Sequence, residues 1–266
     1  MLIAQLTDLH VLADGAPAYG RVDTLGHLRR AVDHLNALPL DGVIITGDLV
    51  EDSSADSYAT LRPELDRLAA PWWPIPGNHD GPAFWDVFDD RMTDPAREIG
   101  HVVDLPGLRL VLLDTRVEGD PFGRVDAARA GWLAEALDAD LPTLLAMHHP
   151  PIRTGIAHMD RIGLEDLDAL TAALQPRPPH AILCGHAHRT IQGRLGGVPV
   201  LVAPSSADAV ALHLETDAPP AFALEPPGVL LHLMDGAELV THLSHIGPYP
   251  EPRAAHETDQ GSAHGA

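Results

Sequence analysis

The chain has 266 residues, 45% of them hydrophobic and 4% aromatic, with a formal net charge of −21. That length and apolar content suffice for one large domain or two small ones and exclude a wholly disordered chain. The acidity disfavours nucleic-acid backbones and anionic membrane surfaces as partners.

The chain opens on the apolar run Met1–Leu6 and meets Thr7-Asp8 at once, too short a run for a signal-peptide core and without a basic leader. Leu2–Leu6 reads as a buried strand. Asp23–Leu38 follows as an amphipathic helix, with apolar positions three and four apart. Val43–Thr46 is the next strand, Ser54–Ala69 the next helix and Trp73–Ile75 a third strand. Leu108–Asp114, the helix Asp126–Asp138, Thr143–Met147 and Ala181–Cys184 continue the alternation. Strand alternating with helix predicts an α/β architecture whose sheets are covered on their outer faces. Beyond Cys184 the texture becomes β-rich. Val198–Ala203, Val229–Met234 and Leu239–His245 are strand-like, and Asp235-Gly236 joins the last two as a hairpin. The proline-rich stretch 215–228 predicts a loop or interaction arm, and 247–266 a disordered tail after a single domain over 1–246. Cys184 is the one cysteine, so no intramolecular disulfide forms and a reducing compartment is expected. No stretch approaches the ~20 apolar residues of a membrane span, which predicts a soluble cytoplasmic protein.

The 17 histidines, as numerous as the arginines that supply every basic residue, are unevenly placed. Five polar motifs sit at the ends of predicted strands. They are Asp8-Leu9-His10, Gly47-Asp48, Gly77-Asn78-His79-Asp80, His148-His149 and Gly185-His186-Ala187-His188. In α/β sheets this edge is where loops converge on a ligand. One intervening residue, as in Asp8/His10 and His186/His188, puts two side chains on one face of an extended segment. The glycines at 47, 77 and 185 suit backbone turns that present the next residue. Each motif alone is weak, but five in order, each after a strand, predict a metal site. His232, His242, His245, His256 and His264 lie outside the motifs and are read as incidental.

This series resembles the calcineurin-like metallophosphoesterase superfamily. The run MHHPPIRTG at 147–155 with Met159-Asp160, and Gly20-Arg21-Val22-Asp23-Thr24, are similar to the class III cyclic-nucleotide phosphodiesterase and bacterial glycerophosphodiesterase subgroup. The resemblance implies a four-layer α-β-β-α sandwich with a C-terminal β-hairpin. It also implies two divalent metals: Asp8, His10, Asp48 and His188 would hold one, and Asn78, His148, His186 and Asp48 the other, with Asp48 bridging. A bridging carboxylate offsets the repulsion of cations ~3.5–4 Å apart. The nitrogen and oxygen donor set suits manganese, iron, cobalt or zinc, with iron and manganese favoured. Val50 stands where purple acid phosphatases place a tyrosine ligand, so a tyrosinate–iron site is not expected.

The implied reaction is hydrolysis of a small phosphodiester, a 3′,5′-cyclic nucleotide such as cAMP or a glycerophosphodiester, by attack of a metal-bound hydroxide. His79 is the candidate general acid, with an electrostatic role as the alternative. Asp80 is expected to accept a hydrogen bond from the His79 ring and fix its tautomer. His149 is expected to support or pack rather than ligate. Substrate contacts are assigned to Asn78 and His79, with Arg21 and His213 as further candidates. Tyr19, Phe84, Trp85 and Phe122 are the candidate stacking aromatics. The alternatives are a phosphomonoesterase or protein phosphatase of the same superfamily and, in another class, a non-catalytic metal-dependent scaffold. Two divalent ions against Asp8 and Asp48 leave a locally positive pocket in an acidic shell, open to small phosphodiesters and closed to long polyanions. Neither a nucleic-acid polymer nor a membrane is expected as partner; a homo-oligomer is.

Overall fold

The computed structural model describes residues 1–92 and 98–247; the tail expected over 247–266 lies, apart from its first residue, outside them. In chain order the elements are β1 Leu2–Leu6, α1 Thr24–Asn36, β2 Gly42–Thr46, α2 Ala55–Leu65, β3 Trp72–Ile75, α3 Ala83–Val87, β4 Gly100–Leu105 and β5 Leu108–Leu113. They continue with β6 Gly123–Arg124, α4 Ala127–Ala136, β7 Thr143–Met147, α5 Ala157–Arg161, β8 Leu164–Glu165, α6 Leu167–Leu174 and β9 Ala181–Cys184. The last are β10 Ile191–Leu195, β11 Val198–Val202, β12 Ala209–Val210, β13 Phe222–Ala223, β14 Gly228–Asp235 and β15 Glu238–His245.

Two main sheets face each other. One runs β15-β14-β1-β2-β3 and the other β10-β11-β9-β7-β5-β4. The motif-bearing strands β1, β2 and β3 pair in parallel, as do β7 and β9, so their C-terminal ends open on the same edge. Ile3, Ile44, Leu110, Leu144 and Leu183 form an apolar layer between the sheets. A second core packs Leu28, Val32, Tyr58 and Leu61 of α1 and α2 on the first sheet, and a third packs Leu133, Leu170 and Leu174 of α4 and α6 on the other. The layers are therefore helix, sheet, sheet, helix.

The three expected helices begin where their caps place them. Asp23, Ser54 and Asp126 each accept a hydrogen bond from the backbone N–H three residues on, satisfying a donor the first turn leaves unpaired. Gly236 takes a left-handed φ of 58° in the expected hairpin turn. The proline-rich stretch holds one short strand: β13 pairs with β12, Val210 opposite Phe222, folding the chain between them into a loop over the sheet edge.

Candidate metal centre and active site

Each expected ligand emerges within four residues of a strand end. Asp8 and His10 follow β1, Asp48 follows β2 and Asn78 follows β3, all from the first sheet. The second sheet contributes His148 after β7 and His186 and His188 after β9. One oxygen atom, Asp48 Oδ2, lies 3.2 Å from His148 Nε2 and 3.8 Å from His10 Nε2. Around it, ligand atoms of Asp8, His10, Asp48 and His188 lie within 4.8 Å of one another, all from buried residues. On the far side, Asn78 Oδ1 is 3.2 Å from His148 Nε2 and 3.0 Å from His186 Nδ1.

The inward nitrogens are selected by what holds the opposite side of each ring. His10 Nδ1 contacts Glu51 Oε2 at 2.6 Å, and His188 Nδ1 contacts the Asp208 carbonyl at 3.0 Å. His148 Nδ1 donates to the Thr46 carbonyl at 2.8 Å, and His186 Nε2 to the Ile162 carbonyl at 2.9 Å. Anchoring one ring nitrogen fixes the tautomer and aims the other at a cation. His10 Nε2 and His188 Nε2 then face each other at 3.0 Å, two nitrogen lone pairs with room between them only for a proton or a shared positive ion. This donor set, imidazole nitrogens with carboxylate and amide oxygens on both sides of Asp48, fits two divalent transition-metal ions.

The backbone is strained where these residues sit. Asp8, His10, Asp48, His186 and His188 all have φ between 48° and 69°, the left-handed region that costs a side-chain-bearing residue about 1–2 kcal/mol. The glycines serve differently from the turn role expected of them. Gly47 does have φ 96°, but at Gly77 close approach decides: an added Cβ would strike the Asp48 carboxylate. The turns are carried by the ligands themselves.

Electrostatics reflect this crowding. Burial opposes charge on His148 and His188, yet Asp48 beside the first and Asp8 beside the second outweigh it and lift both to about 9. Burial and then the neighbouring His148 push His186 down to about 3. Burial works against the charged form of His79 as well, but Asp48 and the Glu51 carbonyl raise its pKa overall.

His79 lies in the cleft beside Asn78, its backbone N–H donating to Asp48 Oδ1 at 2.8 Å and its ring Nδ1 to the Glu51 carbonyl at 2.9 Å. The expected Asp80–His79 pair does not form. Asp80 is buried and turned away; its carboxylate accepts from Tyr58 Oη at 2.8 Å, Gly77 N at 2.9 Å and Leu49 N at 3.1 Å. A carboxylate whose two oxygens already hold donors from α2 and from the loops after β2 and β3 braces them, and the task expected of Asp80 falls to the Glu51 carbonyl. His149 is buried between the rings of His148 and His186, centroids 4.8 and 4.6 Å away, with Nδ1 on Thr115 Oγ1.

The remaining candidates are dispersed. The cleft above the proposed ligands is lined by His10, Tyr19, Asp48, Asn78, His79, His158, Met159, Ile162, His186, His188, Val210, Pro220 and Phe222. Neither Arg21 nor His213 is among the residues that line it: Arg21 is exposed, and His213 Nδ1 contacts the Pro219 carbonyl. Arg189, the other arginine next to a motif, is engaged by both oxygens of Glu225. Phe84 and Trp85 belong to the first-sheet core, Phe122 lies under Arg124, and only Tyr19 of the four aromatics lines the cleft. Sequence reasoning missed Glu51, Asp208 and Phe222. Glu51 and Asp208 add two carboxylates beside Asp8 and Asp48, so four acidic groups, rather than two, would stand against the charge of two divalent ions. Glu51, three residues beyond Asp48, had only proximity to a motif as a signal; Asp208 lies on a loop and Phe222 on the two-residue strand β13, with none.

Comparison with known proteins agrees with this geometry. Residues 1–190 match the calcineurin-like phosphoesterase family. A probable glycerophosphodiester phosphodiesterase GpdQ of Arcobacter nitrofigilis is 32% identical, covering 95% of this chain and 96% of its own. The 3′,5′-cyclic adenosine monophosphate phosphodiesterase CpdA of Pseudomonas aeruginosa is 32% identical over 77% of this chain and 76% of its own. In structure, GAP50, the anchor in the inner membrane complex of Plasmodium, superimposes with a TM-score of 0.60 at 10% identity, covering 93% of this chain and 85% of that one.

Proposed function

The chain belongs to the calcineurin-like phosphoesterase family, and from that premise we propose that it is a dinuclear-metal phosphodiesterase acting on small phosphodiesters, 3′,5′-cyclic nucleotides or glycerophosphodiesters. The observation that carries this reading is the place of Asp48 Oδ2 between His10 and His148, with a donor cluster on either side. Asp8, His10, Asp48 and His188 would hold one ion; Asp48, Asn78, His148 and His186 the other. The chemistry such ions supply is Lewis acidity toward the phosphate oxygens and activation of water. The mixed donors support manganese, iron, cobalt or zinc, with iron and manganese favoured.

The chain's own residues do the rest. Glu51, Asp208, Thr46 and Ile162 orient the ligand rings, so the donor geometry exists before substrate arrives. His79, with Nδ1 committed to a carbonyl, has Nε2 left to give a proton to the departing alkoxide. Asp80 positions the Gly77–His79 loop against the Leu49 backbone.

Among the described residues lining the cleft there is no arginine, and the chain has no lysine. A monoester dianion is usually clamped by such cations, so the lining supports a diester. The complete donor set with His79 beside it speaks against a non-catalytic scaffold. We further propose one catalytic domain over residues 1–246 and a cytoplasmic location; no helix among the described residues is long and apolar enough to cross a membrane. The exposed Leu212, Leu214 and Leu224 support a homo-oligomer.

The test is a hydrolysis panel on protein of measured metal content. Bis(p-nitrophenyl) phosphate is expected to exceed p-nitrophenyl phosphate by about tenfold or more in kcat/KM, a difference of ~1.4 kcal/mol at the transition state. A preference for the monoester sinks the diester reading. No turnover with manganese, iron, cobalt or zinc each supplied sinks the enzymatic one.

A further inference from the structure

Tyr19 and Phe222 come from distant parts of the chain, the loop before α1 and the strand β13, yet their rings stack beside the metal ligands. Their centroids are 5.2 Å apart with planes inclined by 18°. The Phe222 ring lies 6.3 Å from that of His188. Both rings line the same cleft as His10, Asp48, Asn78 and His79. They are unusual for aromatics in this chain. Phe84, Phe88 and Tyr58 are fully buried, whereas Tyr19 is 45% and Phe222 43% exposed.

The chain also holds them in place against its local preferences. Tyr19 has φ 53°, a left-handed conformation that a bulky side chain rarely adopts. Apart from the five ligand residues, only Asp14, Tyr19, Ser53 and Asp166 do so among the described non-glycine residues. Phe222 is fixed by pairing with Val210 and by the Ala211 N–H donating to the Ala221 carbonyl at 2.8 Å. Pro219 and Pro220 just before it restrict the backbone further.

We propose that the Tyr19–Phe222 pair is the platform on which the planar base of a nucleoside phosphodiester stacks while its phosphate lies at the ligands. The inference rests on the phosphodiesterase reading and names the substrate class within it. Two organic groups can use aromatic faces: a flat base by stacking, or a quaternary ammonium by cation–π attraction within a cage. The observed geometry separates them. A cage needs rings splayed around a cavity, whereas these two close on each other and leave no gap for a cation. A near-parallel pair extends instead to a third flat ring. Val210, Pro220, Met159 and Ile162 add apolar surface to the same cleft, which suits an uncharged heterocycle. The base adds affinity and the phosphate adds chemistry.

The deciding measurement is kcat/KM for cAMP and for glycerophosphocholine on the same metal-analysed preparations of the wild type, Phe222→Ala, Tyr19→Ala and Phe222→Trp. Equilibrium binding of adenosine 5′-monophosphate to each serves as the second readout. Loss of one ring is expected to lower the cAMP-to-glycerophosphocholine ratio about tenfold and to weaken nucleotide binding in parallel, with Phe222→Trp restoring both. An unchanged ratio, or an equal loss on both substrates, overturns the platform while leaving the phosphodiesterase reading intact. A ratio that falls because glycerophosphocholine turnover rises, with nucleotide binding unaltered, overturns it too. A metal-loaded wild type that hydrolyses neither diester removes the reading beneath the platform and the platform with it.

Discussion

His79 and Asp48 are neighbours joined by a backbone hydrogen bond, yet their substitution separates two kinds of loss. His79→Ala removes a proton donor that is not among the seven proposed metal ligands, so both metals are expected to stay. Turnover is expected to fall by about 10²–10⁴, most severely for alkyl diesters with poor leaving groups. Metal analysis beside a leaving-group series checks this; alkyl-diester hydrolysis at the wild-type rate ends the acid assignment. Asp48→Asn is expected to lose metal, because one charged oxygen faces both donor clusters. Two ions retained tightly in that variant would contradict the bridging arrangement. At this scale the sequence pointed to the side chains that the fold brings together as proposed ligands and was silent about their supports. A ligand announces itself through a short motif next to a strand end. Glu51, Asp208 and the Ile162 carbonyl act across long chain separations, and backbone carbonyls carry no residue-type signal at all.

At the scale of elements, the loop after β3 is held from beneath. Tyr58 on α2 donates to Asp80, whose carboxylate also gathers the N–H groups of Gly77 and Leu49, and Arg116 donates to the Asp80 carbonyl at 2.6 Å. Tyr58→Phe leaves Asp80 buried with one donor fewer, a cost of about 1–3 kcal/mol measurable by urea unfolding. Because Asn78 and His79 ride on that loop, turnover is expected to fall more than metal content. A variant as stable and as active as the wild type would show that the brace is dispensable. Long apolar strands and capped helices were legible because periodicity and caps are local properties. The six-residue β4 and the edge strand β10 were not: Ile191–Leu195 is half-exposed throughout, so no continuous apolar run marks it. The octamer α6, Leu167–Leu174, is apolar but begins after a left-handed Asp166 that offers no side-chain cap. The proline-rich stretch read as an arm; its folding back over the cleft depends on a two-residue pairing no pattern announces.

Across the whole molecule, one incidental histidine turns out to be structural. His232 on β14 is buried between the sheets, with Nε2 3.1 Å from Gln5 Oε1 and Nδ1 2.9 Å from Thr241 Oγ1, and Gln5 Nε2 in turn donates to Thr46 Oγ1 and the Cys184 carbonyl. Burial lowers the His232 pKa to about 3. The unfolded chain titrates near 6.5 and so binds a proton that the folded chain excludes between those values. Stability from this group is full above pH 6.5 and is lost as pH falls toward 3, at about 1.4 kcal/mol per pH unit. His148 and His188, raised to about 9, act in the opposite sense: their contribution in metal-free protein is full below 6.5 and fades as pH rises to 9. Urea unfolding of metal-free protein at pH 7.5 and 5.5 should show His232→Gln losing about 1.4 kcal/mol less than the wild type over that interval; equal losses would place the acid sensitivity elsewhere. The left-handed ligand residues have a consequence of another kind. Glycine would relax all five backbones, so selection for thermostability alone, with no demand for turnover, pulls Asp8, His10, Asp48, His186 and His188 toward glycine. What opposes that pull is the hydrogen bonding of Asp8 and Asp48 to the His186 and His79 N–H groups and the metal these residues would hold, so laboratory evolution for heat resistance in the absence of metal is expected to change this centre before the core.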